Sequence, residues 1–477
     1  MRPLVSVPCR LALASALLLL AGACREGSSE FTVTTGGDST TPETENVVLI
    51  LVDDWALSDL EAARTDAAPW NDLLAVDSLA AVGQSWDNFY AQPICNPTRA
   101  TLMFGRYVGA NLTGVCNPPT AETPRPGETL ASMFRDAGFA TGTFGKWHIS
   151  RDPDPGVPWT EAPASYGFDA WRAWNASNLK GHCESSGYED WHRVDDGVVT
   201  RSSAYHTEAV ALAFLDWWQG TSGSRFAYVN FQAPHAPMHH PPAHLLPTGY
   251  PPSTNDRERY EAMLVALDTL LASMLAVIDL SDTAVFLLGD NGTPPNALRD
   301  DQSPGRVKRS TFEDGVNVPF VVAGPGISVG TVEALGHVVD LPATLAALTG
   351  VSPPTSAFAD STSLAPVLQG RAERVREHLV CDRLSRTVTL TPFGEFPLLD
   401  RTTCVVLETP QGLLKGVFDL EETYDVRNRE IVLEETERVY DLAVDPREVA
   451  PLGASDPVRA EDVARLEEIW RSTLNGE

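Results

Sequence analysis

The stretch Asn46-Val47-Val48-Leu49-Ile50-Leu51-Val52 is an unbroken run of apolar, mostly branched residues, and it is matched by Arg225-Phe226-Ala227-Tyr228-Val229-Asn230-Phe231 and by Thr283-Ala284-Val285-Phe286-Leu287-Leu288-Gly289. A strand with one wet face alternates polar and apolar residues. A continuous run is a strand buried on both faces, as in a sheet covered by helices. Helical spacing over Thr129 to Ala137, His206 to Trp218 and Arg257 to Leu280 supplies the covering layers. The fold class that follows is α/β, with a large mostly parallel sheet flanked by helices. Such sheets place their ligands at the carboxyl ends of the strands. The first run ends in Asp53-Asp54 and the third in Asp290-Asn291-Gly292. Adjacent carboxylates repel, and a hard divalent cation relieves that repulsion; oxygen donors favour calcium, or less readily magnesium.

The second run delivers Gln232-Ala233-Pro234-His235-Ala236-Pro237, where a histidine between prolines has a stiff backbone and a ring that can be aimed at little entropic cost. Gly138 to His148 reads as a helix stop and a short strand, with Lys146 and His148 two residues apart on one side of the extended chain. Two such groups aimed at one point suit an oxyanion and a proton transfer. Cys95-Asn96-Pro97-Thr98-Arg99 sets a thiol, a turn proline, a hydroxyl and a guanidinium within five residues at a helix start. There Arg99 offers a forked donor for two oxygens of a tetrahedral oxyanion. His239, His240 and His244 lack cysteine partners or helical spacing and read as loop residues, with His240 at most a substrate contact. The irregular, tryptophan-bearing stretch from 151 to 201 reads as loops over the sheet, which commonly set specificity.

Charge narrows the partners. With 35 basic and 64 acidic residues the formal charge is −29, which argues against nucleic acid and against anionic membrane surfaces. An anionic substrate then needs a local positive pocket. Arg2 and Arg10 precede an apolar run, Leu11 to Ala23, too short to span a bilayer and ending in Ala21-Gly22-Ala23-Cys24. Residues 1–24 read as an export signal of lipoprotein type that leaves a lipid on Cys24, or as an ordinary signal cleaved in the same region. The destination is the periplasm or the cell surface. Residues 25–45 read as a flexible tether. Four further exported cysteines, Cys116, Cys183, Cys381 and Cys404, suggest two disulfides with three possible pairings; sequence proximity favours Cys381 with Cys404 and Cys116 with Cys183.

Taken together, Cys95-Asn96-Pro97-Thr98-Arg99 with Gly105-Arg106, and Gly145-Lys146-Trp147-His148, resemble the two signatures of the type I sulfatases, members of the alkaline phosphatase superfamily. Tyr166-Gly167-Phe168-Asp169, Pro234-His235-Ala236-Pro237 and Lys308 to Phe320 extend the resemblance, although Arg309, Asp314 and Asn317 stand where that family usually has Gly, Gly and Arg. The resemblance implies an alkaline phosphatase-like catalytic domain over 46–370. It implies that Cys95 is oxidised by a formylglycine-generating enzyme to formylglycine, whose hydrate is the nucleophile on a sulfated small molecule or glycan. It implies a metal site of Asp53, Asp54, Asp290, Asn291 and residue 95, catalytic roles for Arg99, Lys146 and His148, and His235 and Lys308 on the leaving-group side.

From about Arg371 short alternating strands (Thr387 to Leu390, Cys404 to Glu408, Leu413 to Phe418, Arg438 to Leu442) and a closing helix, Arg459 to Leu474, predict a small C-terminal α+β subdomain, 371–477, with an antiparallel sheet. Two rivals remain at this stage. One is a phosphodiesterase or phosphonate monoester hydrolase on the same scaffold, and the other is a non-catalytic binder of sulfated glycans in which Cys95 is never converted.

Overall fold

The computed structural model describes residues 44–65, 72–107, 127–149, 157–179, 187–354, 357–391, 394–425, 430–452 and 460–475. The expected export segment with Cys24, residues 25–43 of the expected tether, Cys116 and Cys183 lie outside them. No helix among the described residues is long and apolar enough to cross a membrane.

The strands of the main body are β1 (Asn46–Val52), β2 (Gln84–Trp86), β3 (Phe89–Tyr90), β4 (Ala140–Lys146), β5 (Ala170–Asn175), β6 (Trp191–Asp195), β7 (Val198–Ser202), β8 (Arg225–Phe231), β9 (Thr283–Gly289), β10 (Phe320–Ala323), β11 (Gly330–Val332) and β12 (Gly336–His337). Ten of them form one sheet in the order β11-β2-β10-β9-β1-β8-β4-β5-β6-β7, while β3 pairs with β12. The centre, β9-β1-β8-β4-β5, is parallel throughout. Toward the edges β10 runs antiparallel to β9 and β2, and β6 to β5 and β7, while β11 is again parallel to β2, so the large sheet is mixed around a parallel centre.

β1 shows why its sequence has no polar alternation. Val48, Ile50 and Val52 face a core shared with Phe214 and Trp217 of helix His206–Gly220 and with Met263, Leu267 and Leu271 of helix Asp256–Leu275. Val47, Leu49 and Leu51 face the opposite core with Leu102, Phe104, Leu130, Phe134 and Leu345. Helix Asp256–Leu275 is capped by Asn255, which accepts from the backbone N–H groups of Arg257 and Glu258. It ends five residues short of the expected Leu280. Beyond Leu275 the chain tightens into bonds from Val277 to Met274 and from Ile278 to Leu275. The apolar spacing continues through that turn and so overstated the helix.

The C-terminal strands are β13 (His378–Thr391), β14 (Gly394–Thr409), β15 (Gly412–Asp425) and β16 (Glu430–Asp441), an antiparallel meander far longer than the short strands expected. Apolar alternation marks only the part that packs; backbone ladders carry the rest. One face of that part, with Leu379, Val406 and Val417, lies on Tyr90, Phe312 and Val316. The other, with Val405, Leu407 and Phe418, is covered by Leu466 and Trp470 of helix Ala460–Asn475. Cys381 and Cys404 are directly opposed across β13 and β14, yet both are free thiols rather than the expected disulfide. Burial, together with a hydrogen bond to Cys404, holds the Cys381 thiol well above its ordinary pKa, away from the thiolate that disulfide chemistry needs.

Candidate active site

Parallel pairing brings the carboxyl ends of β1, β8, β9 and β4 to one edge of the sheet, where backbone bonds join the two acidic segments. Trp55 N–H donates to Asn291 O at 2.8 Å, Asp290 N–H to Val52 O at 3.0 Å, and Asp54 N–H to the Asp290 carboxylate at 3.1 Å. Asp54 is in the left-handed region, φ 68°, and its carbonyl accepts from Tyr260 OH at 2.8 Å. The same hydroxyl lies 2.8 Å from buried Asp59, so its single proton is shared between the two acceptors, and Asp59 also meets Arg257 at 2.7 Å and Arg299 at 2.5 Å. A second layer thus holds the strained acid in place.

Cys95 is the first residue of helix Cys95–Phe104, with Pro97 in the first turn. Thr98 is spent on structure, its hydroxyl accepting from Gln92 N–H at 3.0 Å. Lys146 reaches the site through a break in β4. The register shifts between Phe144 and Lys146, and Gly145 sits at φ 83°, where a Cβ would lie 2.1 Å from Asn230 O. Such a bulge re-aims the next side chain, and only glycine fits here.

The expected residues converge. Lys146 Nζ contacts Asp53, and Lys308 Nζ contacts Asp54 while standing 3.3 Å from Cys95 Sγ. Donor atoms of Asp53, Asp54, Cys95 and His235 all lie within 4.8 Å of one another. Asn291 Nδ2 donates to Asp54 at 2.7 Å. His148, at φ 52°, is held through its carbonyl by Asn96 Nδ2 at 2.8 Å, beside Cys95. His239 bonds Pro237 O and Tyr205 OH in a loop, as the sequence suggested, whereas exposed His244 sits in the 3-10 turn Ala243–Leu245 and pairs with Glu208. A cleft of about 1010 Å³ between the body and the small sheet contains none of these groups.

Burial dominates the electrostatics. It would raise the Asp53 carboxyl, but Lys146, His235, Lys308 and Arg99 outweigh it and hold that group well below the carboxylate range. Burial and then the charge of Asp53 push Asp290 up to about 7. Lys308 is raised because Asp54, helped by Asp53 and Asp290, overcomes the cost of burying it, so it stays charged. Burial and Asp53 also raise the Cys95 thiol, which makes the unmodified cysteine a poor nucleophile. Burial lowers both His148 and His235. His235 Nδ1 lies 2.8 Å from Ala236 O; a carbonyl only accepts, so Nδ1 carries the proton and Nε2, 3.9 Å from Asp54, is the free base.

The residues fit a divalent cation. Asp53 Oδ1 and Asn291 Oδ1 are buried oxygens without a hydrogen-bond partner among the described residues, in a cluster of three carboxylates. Orphaned buried oxygens are costly, and a hard cation is the partner such a set lacks.

Arg99 is the correction. It does not present its fork to a substrate: Nε and Nη2 donate to Asp290 Oδ2 at 3.0 and 2.7 Å, and Nη1 to Lys146 O and Asn230 Oδ1, both at 2.9 Å. The side chain is fully buried. It positions an acid and the Lys146 backbone from behind. Asn230 and Tyr260 escaped sequence analysis. A lone amide inside the apolar run of β8 was the available signal for Asn230, since such a group is buried only with a partner. Nothing marked Tyr260 within a helical pattern.

A helix-covered sheet with an acid-lined cysteine at its gathered strand ends is the arrangement of an ester hydrolase. The family model described as Sulfatase matches residues 45–351, well over half of the chain, and the chain belongs to the sulfatase family. It is a sulfuric ester hydrolase, and membership of the sulfatase family implies a formylglycine derived from cysteine and a divalent metal. It is 28% identical over 368 residues to the N-acetylgalactosamine-6-sulfatase of Sus scrofa, covering 69% of this chain and 67% of that one. The solved structure of Ps i-CgsB in complex with k-i-k-neocarrahexaose superimposes with a TM-score of 0.66 at 19% identity, covering 90% of this chain and 93% of that one. The phosphonate monoester hydrolase of Agrobacterium radiobacter does so with a TM-score of 0.64 at 20% identity, covering 91% and 96%.

Proposed function

We propose that the protein desulfates carbohydrates, with residue 95 carried as formylglycine and calcium held by Asp53, Asp54, Asp290 and Asn291. One observation carries this reading: Lys146 and Lys308 each meet a different carboxylate of a buried acid cluster, Asp53 and Asp54, and Lys308 Nζ stands 3.3 Å from Cys95 Sγ. The carbohydrate class is supported by similarity to an N-acetylgalactosamine-6-sulfatase. When bound, the cation supplies Lewis-acid charge to sulfate oxygens, and the hydrated aldehyde supplies an attacking hydroxyl and a second hydroxyl for release.

The chain's own groups do the rest. Lys146 and Lys308 set two fixed positive charges where negative charge develops. Lys308, held protonated, is the proton donor to the leaving oxygen. His235, neutral with Nε2 unprotonated, accepts a hydrogen bond and orients rather than donates. His148, kept neutral by burial, takes the proton that frees sulfate.

Because both histidines are lowered, their base forms persist as pH falls through the ordinary histidine value of about 6.5. The expected profile of kcat/KM is therefore flat across that value, with its acid limb further below; a limb centred there would remove His148 as the base.

The assignment as a whole is tested by comparing sulfated monosaccharides with matched aryl sulfate and aryl phosphate esters, with and without chelator. Sulfate esters are expected to be preferred, and calcium is expected to restore activity better than magnesium. Faster turnover of the phosphate ester would favour the phosphodiesterase alternative.

A further inference from the structure

We propose that Arg309 is a specificity-determining residue that binds a second anionic group on the substrate, so that the favoured substrates are saccharides bearing another sulfate or a carboxylate beside the ester cleaved. This rests on the sulfatase reading above.

The backbone supplies the first observation. Ser310 N–H donates to Val307 O at 2.9 Å, closing a four-residue turn in which Arg309 is the third residue at φ 75°. Lys308 before it keeps a negative φ, which makes the turn type II, and that position favours glycine because a Cβ is strained there. The chain carries its longest cationic side chain at this point. Packing does not explain it, since Arg309 is exposed.

The second observation is electrostatic. Every other arginine whose side chain is described has a carboxylate, an oxygen acceptor or another partner. Arg309 has none among the described residues, in a chain with 64 acidic side chains to choose from. An unpaired guanidinium in so acidic a protein leaves its fork available to a sulfate or carboxylate.

Its location is the third. The same turn carries Lys308, whose N–H donates to Thr293 O at 2.9 Å and whose Nζ reaches Cys95. Arg309 N–H donates to Pro93 O at 2.8 Å, two residues before Cys95. The turn is thus pinned at the rim of the site, and its cation offsets locally the repulsion that a net charge of −29 imposes on a polyanion.

The test uses the full, converted enzyme and two matched disaccharides, one monosulfated and one carrying an additional sulfate. The quantity read is the ratio of kcat/KM for the second over the first. In Arg309→Gly that ratio is expected to fall about tenfold or more, as loss of a charge-assisted bond predicts. In Arg309→Glu it should fall further, and Arg309→Lys should keep part of it. Added salt should lower the ratio in the wild type and leave it nearly flat in Arg309→Gly. A Tm of Arg309→Gly at or above wild type would show that the turn itself is intact. A ratio within twofold of wild type in both Arg309→Gly and Arg309→Glu would overturn the inference while leaving the sulfatase reading standing. A wild-type enzyme with verified conversion at residue 95 and no activity on any sulfate ester would instead remove that reading.

Discussion

Cys95→Ser is expected to lower kcat/KM on sulfate esters by at least about a thousandfold, the scale on which enzymes lose turnover when a covalent nucleophile is removed. The substitution is nearly isosteric at a buried helix N-terminus, so Tm should move little and the loss can be read as chemistry. A serine hydroxyl can attack once. It has no second hydroxyl through which sulfate can be expelled, so a single slow turnover followed by retained sulfate is the expected signature. The environment strengthens the argument, because the cysteine as encoded cannot serve as nucleophile in its own right. Its thiol is raised by burial and by Asp53, although Lys146 and Lys308 pull the other way. Intact-protein mass measured alongside activity checks both halves. Full activity in Cys95→Ser, or full activity in wild-type protein still carrying an unmodified thiol, would sink the assignment.

Arg99→Met is expected to destabilise the protein by about 3–5 kcal/mol, the usual effect of stripping one partner from a buried ion pair. Arg99 and Asp290 are both fully buried, and four donor contacts run from the guanidinium to Asp290, Lys146 O and Asn230. Without Arg99 the Asp290 carboxylate is uncompensated beside Asp53, where burial first and the charge of Asp53 second already push Asp290 up to about 7. Arg99→Lys should recover little, since a point charge cannot reach three acceptors in different directions. The double variant Arg99→Met with Asp290→Asn should regain part of the loss, because the orphaned charge is gone. Chemical denaturation of the two single variants and the double closes the cycle. A loss below about 1 kcal/mol in Arg99→Met would mean that the clamp is not holding the acid.

The sequence by itself determined the scaffold and the chemistry it delivers. β1, β8 and β9 fall on the residues their apolar runs marked, because burial on both faces leaves a strand no reason to alternate. The acids and histidine at their ends follow directly in the chain. What only the tertiary structure decided concerns direction and partnership between residues far apart. Arg99 turns to Asp290, 191 residues away, and Lys308 meets Cys95 across 213. The bulge at Gly145 sets where Lys146 points, and the opposed Cys381 and Cys404 remain two thiols. Periodicity reports how much of a side chain is buried, which is a local property. Which atom it then meets depends on register, bulges and the packing of distant elements, and no window of neighbouring residues contains that information.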